Sequence, residues 1–513
     1  MPSIRGEFEL QNLMIRGGMD TQREQYESLP LHAIDLLNVV PRPDGYVGGP
    51  GWSIVGNEIV SATHGIVNHV TGFAKADEGN FTMCVTATRT MENTAGVWTN
   101  RQGATALTLG ANAHATSVWY NDELFFGYPA SGAANAPKKF TTSGSNVAAI
   151  AAAMFNAGDV EIFGNRLVSA RVWNASDVYL PYDVYRSADG APGTHNAEFY
   201  RASQSPSVIM RIMRLGQQLM IYKQHSIDLL HISGGEQVDV QPYEPDELPG
   251  NVGLALHDAV VAGGAYHFFL GNEDIYLIRA GELPQPIGGP VIQIIRDALA
   301  AGSFVLAGYD NRSSQNEGFY LLTNVATAAN LKTIGPNAPS LTYMYLFFDL
   351  ATKTWSRGEL TNIPRAAGNY YTRFGFLDAA PISQTAMLMG LDSTNGSTVY
   401  DLDFTVTTRA GAAFTPRIIT TIADFGDGFL YKQWADIWPI FKRRSSGTCT
   451  ISVKAANTPG EVPAEVRSLT FAMDGTQSPR QINYSARFLQ LDITFNTNDF
   501  YFQGVALKSK ERR

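Results

Sequence analysis

Between Tyr343 and Leu360 the chain reads YMYLFFDLATKTWSRGEL. The first half is a short apolar run rich in aromatic residues, the middle is a polar turn over Asp349 to Lys353, and the second half restarts at Trp355. That order predicts a β-hairpin. Its first strand is too apolar to face water on either side, so it belongs between the layers of a larger β-assembly. One hairpin cannot bury its own faces, which calls for neighbours of the same kind.

The rest of the chain supplies such neighbours. From about Ser53 to Phe414 short strand-like runs alternate with Gly, Asn and Asp turns. A polar turn followed by an apolar strand recurs at Asn121-Asp-Glu-Leu124, Gly164-Asn-Arg-Leu167, Gly216-Gln-Gln-Leu219 and Gly271-Asn-Glu-Asp-Ile275. The intervals are roughly 40 to 55 residues, the length of one four-stranded propeller blade, though they are uneven. The hairpin at Tyr343 resembles the closing hairpin of a kelch-type blade. Residues 53–414 are therefore expected to form an irregular β-propeller of six to eight blades.

Two flanking regions have a different texture. Residues 1–52 read as an extended N-terminal arm with one short helix around Leu31 to Leu37. The arm ends in NVVPRPDGYVGGPGW, whose three prolines and four glycines argue against regular structure. Its apolar residues Leu31, Ile34, Leu36 and Leu37, with Pro50 beyond them, are the candidate assembly contacts. After about Thr415, TCTISVKA and FLQLDITF alternate as half-buried strands do. Residues 415–513 are expected to form a C-terminal β-sandwich. Loop helices are expected over 145–155 and 291–301, where alanine-rich or helically spaced apolar residues occur.

Composition narrows the function. Lys and Arg total 38 against 47 Asp and Glu, a formal charge of −9, so the chain lacks the basic footprint of a nucleic-acid binder. No stretch has the length of a membrane span, and the N-terminus lacks the apolar core of a signal peptide. Cys84 and Cys449 read as small buried hydrophobes in a reducing compartment.

Catalytic signatures are missing. The sequence holds no glycine-rich phosphate loop, HExxH, paired CxxC or GxSxG elbow. Asp401 and Asp403 alternate onto one strand face about 7 Å apart, within the range of inverting glycosidases, but blade turns rich in Asp make that spacing common. The pairs His64/His69 and His225/His231 have no third ligand at a telling distance and read as structural. Neither catalytic residues, a cofactor nor a metal site is expected. The one candidate ligand contact is the aromatic cluster in VWNASDVYLPYDVY, with Trp173, Tyr179 and Tyr182, which would suit a glycan or receptor.

The opening arm with NVVPRPDGYVGGPGW resembles the start of tail nozzle or tail hub proteins of short-tailed bacteriophages. Asn165-Arg166-Leu167, followed by Val184-Tyr185-Arg186-Ser187-Ala188-Asp189-Gly190 and Phe199, is similar to a recurrent blade of that family, with a longer loop and Pro192 out of place. Phe348-Asp349 to Trp355 resembles its hairpin, and ARFLQLDITF its terminal sandwich strands. The resemblance implies a non-enzymatic virion part assembled in the host cytoplasm. It would form a ring of six subunits below the portal and adaptor, with DNA passing through the lumen without sequence-specific binding and fibres or spikes outside. A glycan- or receptor-binding tail propeller is the alternative, and a propeller glycoside hydrolase a more distant one.

Overall fold

The computed structural model describes residues 9–14, 19, 33–60, 64–65, 67–75, 79–110, 113–150, 156–192, 197–201, 207–233, 237–242, 252–300, 305–310, 317–324, 343–359, 374–378, 384–392, 396–409, 411, 413–423, 431–443, 445–458 and 461–512. These residues build an all-β protein: a seven-bladed propeller joined to a β-sandwich. The innermost strands of the blades are Val67–Lys75, Thr116–Tyr120, Asn156–Phe163, Ile209–Leu215, Val260–Gly263, Val305–Asp310 and Phe374–Asp378. Each lies against the next, and the ring closes where Phe376 and Leu377 pair in parallel with Thr71 and Gly72. We number the blades 1 to 7 in that order.

Tight turns set this pattern. Asn121 and Asp122 both have positive φ in the first hairpin of blade 2, and Gly164 and Asn165 do so in blade 3. Such two-residue turns match the twist of the strands they join. The equivalent turn of blade 5 is Gly264-Ala265, whereas Gly271 to Asp274 links the second and third strands of that blade. The unevenness of the expected spacing arises there, because one of the four turns came from a different place in its blade.

The hairpin at the centre of the sequence reading is present as Tyr343–Asp349 and Thr354–Glu359, the outer half of blade 6. Met344 to Asp349 are all buried. Asp349 closes the turn, its Oδ1 accepting hydrogen bonds from the Thr352 backbone N–H and hydroxyl at 2.8 Å each. Trp355 is buried and donates its indole N–H to the Ile287 carbonyl at 2.7 Å, fixing blade 6 against blade 5.

The N-terminal region departs from the expectation. Residues Ala33–Leu37 are a strand, not a helix, lodged between Thr354–Glu359 on one side and Arg417–Thr420 on the other. Available strand edges on both sides override the helix-like spacing of Leu31 to Leu37. Val39–Arg42 and Gly45–Gly48 form a regular hairpin despite the prolines. Pro41 is tolerated because its strand is the edge of its sheet, where a missing N–H costs nothing. The glycines allow close approach: a Cβ on Gly48 would sit 2.1 Å from the Asn498 carbonyl oxygen. Gly51–Val60 is the outermost strand of blade 7, so the start of the propeller and its last blade close on each other.

The sandwich packs two sheets face to face. One holds Thr448–Ala456, Ala464–Ala472 and Phe488–Phe495; the other holds Tyr431–Arg443, Arg480–Ala486 and Tyr501–Arg512, with Glu9–Met14 and the 39–48 hairpin added to it. Ile451, Val453, Leu491 and Ile493 meet Trp434, Ile437, Phe502 and Val505 in the shared core. The first of these sheets runs without a break through Arg417–Thr420 and Ala33–Leu37 into blade 6, nine strands in all.

Charged groups lock that seam. Arg357 makes a two-pronged bond to Asp35, Nε to Oδ1 at 2.6 Å and Nη2 to Oδ2 at 2.7 Å, with both side chains fully buried. Arg409, also fully buried, lies between the rings of Trp52 and Phe414 at 4.4 and 3.9 Å and donates to Asn38 Oδ1 at 2.7 Å. Asn38 itself has φ 56 and accepts from the Glu359 backbone N–H at 3.0 Å.

Of the loop helices, Ile292–Ala300 is present, with Ile292, Ile294, Ile295 and Ala298 buried. Over 145–155, Ala148–Ala149 pair with Lys138 and Lys139 as the short outer strand of blade 2, and residues 151–155 lie outside the described residues. Cys84 and Cys449 are free and buried, one in blade 1 and one in the sandwich.

Candidate functional site

At one end of the ring, residues from four blades converge. His114 precedes the innermost strand of blade 2, Asp159 lies within that of blade 3, Arg211 within that of blade 4, and His257 and Asp258 precede that of blade 5. All sit near the start of an innermost strand, which places them at the same mouth of the propeller. Asp159 is the anchor. It is almost completely buried, and its Oδ1 accepts from Arg211 Nη1 at 3.0 Å and from His257 Nε2 at 2.9 Å. Burial alone would push the Asp159 carboxyl up, but the charges of His257 and Arg211 hold it below the ordinary carboxylate range.

His257 faces Asp258 with its other nitrogen, Nδ1 to Oδ1 at 2.7 Å. Asp258 Oδ2 in turn meets His114 Nδ1, and the two imidazole rings lie 5.5 Å apart. His114 and Asp258 keep 26% and 16% of their side-chain surface open, so the cluster is reached from solvent. One nitrogen atom of each histidine and one oxygen of Asp258 lie within 4.8 Å of one another, a set that can hold a metal ion.

The aromatic cluster belongs to the same mouth. Trp173 pairs with Asn156 at the start of the innermost strand of blade 3. Its ring lies 4.8 Å from that of Tyr179, and Tyr179 is tied to Arg171, whose charge also acts on Asp159. Tyr182 is exposed farther along the loop and makes no ring contact with the pair. The expected candidates Trp173 and Tyr179 are thus brought together, and Tyr182 is not.

The other expected residues have different surroundings. Ile34, Leu36, Leu37 and Pro50 are buried within the chain itself, so in this structure they serve the seam and are not free to meet a neighbour; Leu31 lies outside the described residues. Asp403 Oδ1 accepts from the Thr405 N–H and hydroxyl at 2.7 and 2.8 Å, the same turn closure as Asp349. His69 Nε2 is bonded to Ser117 Oγ at 2.9 Å. His64/His69 and His225/His231 were paired by closeness in sequence, which misses residues that meet only through the ring. The signal that would have found the cluster is the blade period, since His114, Asp159, Arg211 and His257 each fall about one blade apart.

No family model matches the chain, and no curated protein does. Among solved structures it overlaps loosely with propeller-like domains. The N-terminal domain of Nup159 matches at 10% identity and a TM-score of 0.35, covering 72% of this chain and 99% of that one. The Pan2 WD40 domain of Neurospora crassa matches at 7% and 0.36, covering 68% and 95%. The extracellular domain of BT4673 from B. thetaiotaomicron matches at 9% and 0.40, covering 92% and 64%. These likenesses are too low to say anything of this chain beyond its propeller class, which rests on its own strand pairing.

Proposed function

We propose that the chain is a structural subunit of the tail nozzle or hub of a short-tailed bacteriophage, a ring of about six copies below the portal and adaptor. In this reading DNA is retained in and ejected through the ring lumen, and fibres or spikes attach outside. The observation that carries it is the unbroken nine-stranded sheet from blade 6 into the sandwich, which makes arm, propeller and sandwich one stiff block. A wall that must resist packaged DNA needs subunits of that kind. The order arm, propeller, sandwich and the motifs around Asn165, Phe348 and Phe488 add the family resemblance. The motifs have a local reason as well: the Leu167 N–H donates to Ser187 Oγ at 3.0 Å and Asn165 Nδ2 to Asp189 at 2.7 Å, so they knit one blade edge. The −9 charge suits a conduit, because a basic lumen would grip phosphate through counterion release.

Since Ile34, Leu36 and Leu37 are spent inside the chain, ring contacts fall to other surfaces. Removing residues 1–51 would take away the Ala33–Leu37 strand and with it the seam, and would not report on assembly. Electron microscopy of the intact protein at high concentration, alone and with its connector proteins, is the test. Rings with an open central channel are expected; a monomer under both conditions would overturn the proposal.

A further inference from the structure

The polar cluster at the propeller mouth brings two imidazoles and two carboxylates into contact. Asp159 is an acceptor only, so the His257 nitrogen that meets it at 2.9 Å, Nε2, must carry the proton. Arg211 Nη1, 3.2 Å from the same nitrogen, is then a neighbour that donates to Asp159. The other ring nitrogen, Nδ1, faces a carboxylate oxygen of Asp258 2.7 Å away. That contact is held by a positive species, either a proton on Nδ1 or a cation bound beside the pair. His114 Nδ1 faces the second oxygen of the same carboxylate.

Three features suit the cluster to a metal ion. Two imidazoles and one carboxylate are the donor set of zinc-type ions. The bond from His257 to the buried Asp159 is the outer contact that fixes a metal-binding histidine in one tautomer and raises its basicity. Arg211 and Arg171 act on Asp159, which meets the Nε2 side of the His257 ring, and Nδ1 faces the Asp258 carboxylate. Two donors on a tetrahedral ion at about 2.1 Å lie roughly 3.4 Å apart, so the ion enters as side-chain rotation opens the 2.7 Å contact between His257 and Asp258, all three donors already lying within 4.8 Å of one another. The open surface of His114 and Asp258 provides entry and room for bound water.

We propose that His114, His257 and Asp258 bind one divalent transition-metal ion of the zinc type, oriented by Asp159. The ion joins blade 2 to blade 5 across the mouth of the channel and makes the ring harder to open. This assignment does not depend on the tail reading.

The test uses the full chain stripped with a chelator and then titrated with Zn²⁺ by calorimetry and with Co²⁺ by visible absorption. Binding of one equivalent is expected, with a cobalt d–d band and a melting temperature that rises with metal and falls again with chelator. His114→Ala removes a ligand that lies outside the strands and is partly exposed, so the chain should still fold and its melting temperature should not rise when metal is added. It should abolish the cobalt band, and Asp159→Asn should weaken zinc binding about 10- to 100-fold. No binding by the wild type, or an identical band in His114→Ala and His257→Ala, would overturn the proposal.

Discussion

Blades 2 to 5 and the seam around blade 6 are built from the same kind of strand but held by contacts of different reach. In the blades, polar ties connect one repeat to the next: Tyr222 to His267 spans 45 residues and Tyr120 to Asn165 also 45. In the seam, Asp35 meets Arg357 across 322 residues and Arg409 meets Asn38 across 371. Local ties can form as each blade folds, whereas the seam requires both ends of the chain at once. The blades are a repeat array, and the seam is the clasp that turns the array into one body.

The clasp is the place where one substitution costs most. Asp35→Ala would leave the Arg357 guanidinium buried without its carboxylate, a loss of about 3–5 kcal/mol. Denaturant unfolding of the full chain measures it, and a loss under about 1 kcal/mol would show that the clasp is dispensable. A double replacement, Asp35→Leu with Arg357→Met, should recover much of the loss, because well-packed apolar pairs often replace buried ion pairs without penalty.

The link between blades 4 and 5 gives a smaller effect with a defined pH window. His267 is fully buried, donates Nε2–H to the Arg214 carbonyl at 2.9 Å and accepts the Tyr222 hydroxyl at Nδ1, 2.8 Å. Burial lowers its pKa to about 4. The unfolded chain, titrating near 6.5, then takes up the proton first. Stability is fully present above pH 6.5 and falls as the pH drops toward 4, by up to roughly 3 kcal/mol. Unfolding curves across that range should show the slope in the wild type and lose this share of it in His267→Gln. An unchanged slope in the variant would assign the acid sensitivity elsewhere.

The same difference in reach explains what could be read in the sequence. The hairpin at Tyr343 to Leu360 is legible because its strands, turn and closing aspartate lie within eighteen consecutive residues. The helix Ile292–Ala300 is legible from its own apolar spacing. Ala33–Leu37 is not, since its strand edges come from Arg357 and Arg417, and no local pattern states that. Pro41 in a strand is likewise decided by an edge position that only the assembled sheet defines. The mouth cluster falls between these cases. Its members recur with the blade, but their chemistry is unrelated from one repeat to the next, so a search for similar letters passes over them.

The smallest effects lie in the turns, where the two regions can be compared at equal backbone conformation. Lys353 in blade 6 and Asn165 in blade 3 have φ 55 and φ 60. Lys353 is exposed and its Cβ is a burden in that conformation, so Lys353→Gly should stabilise the protein by about 0.5–1 kcal/mol. Asn165 tolerates the same conformation, and its side chain works there: Oδ1 meets the Tyr120 hydroxyl of blade 2 and Nδ2 donates to Asp189 at 2.7 Å. Asn165→Gly gives up those bonds and should destabilise by about 1 kcal/mol. Melting curves of the two variants should therefore move in opposite directions. If both rise, Asn165 is held by its backbone alone, and the blade-to-blade tie through Tyr120 adds nothing to the array.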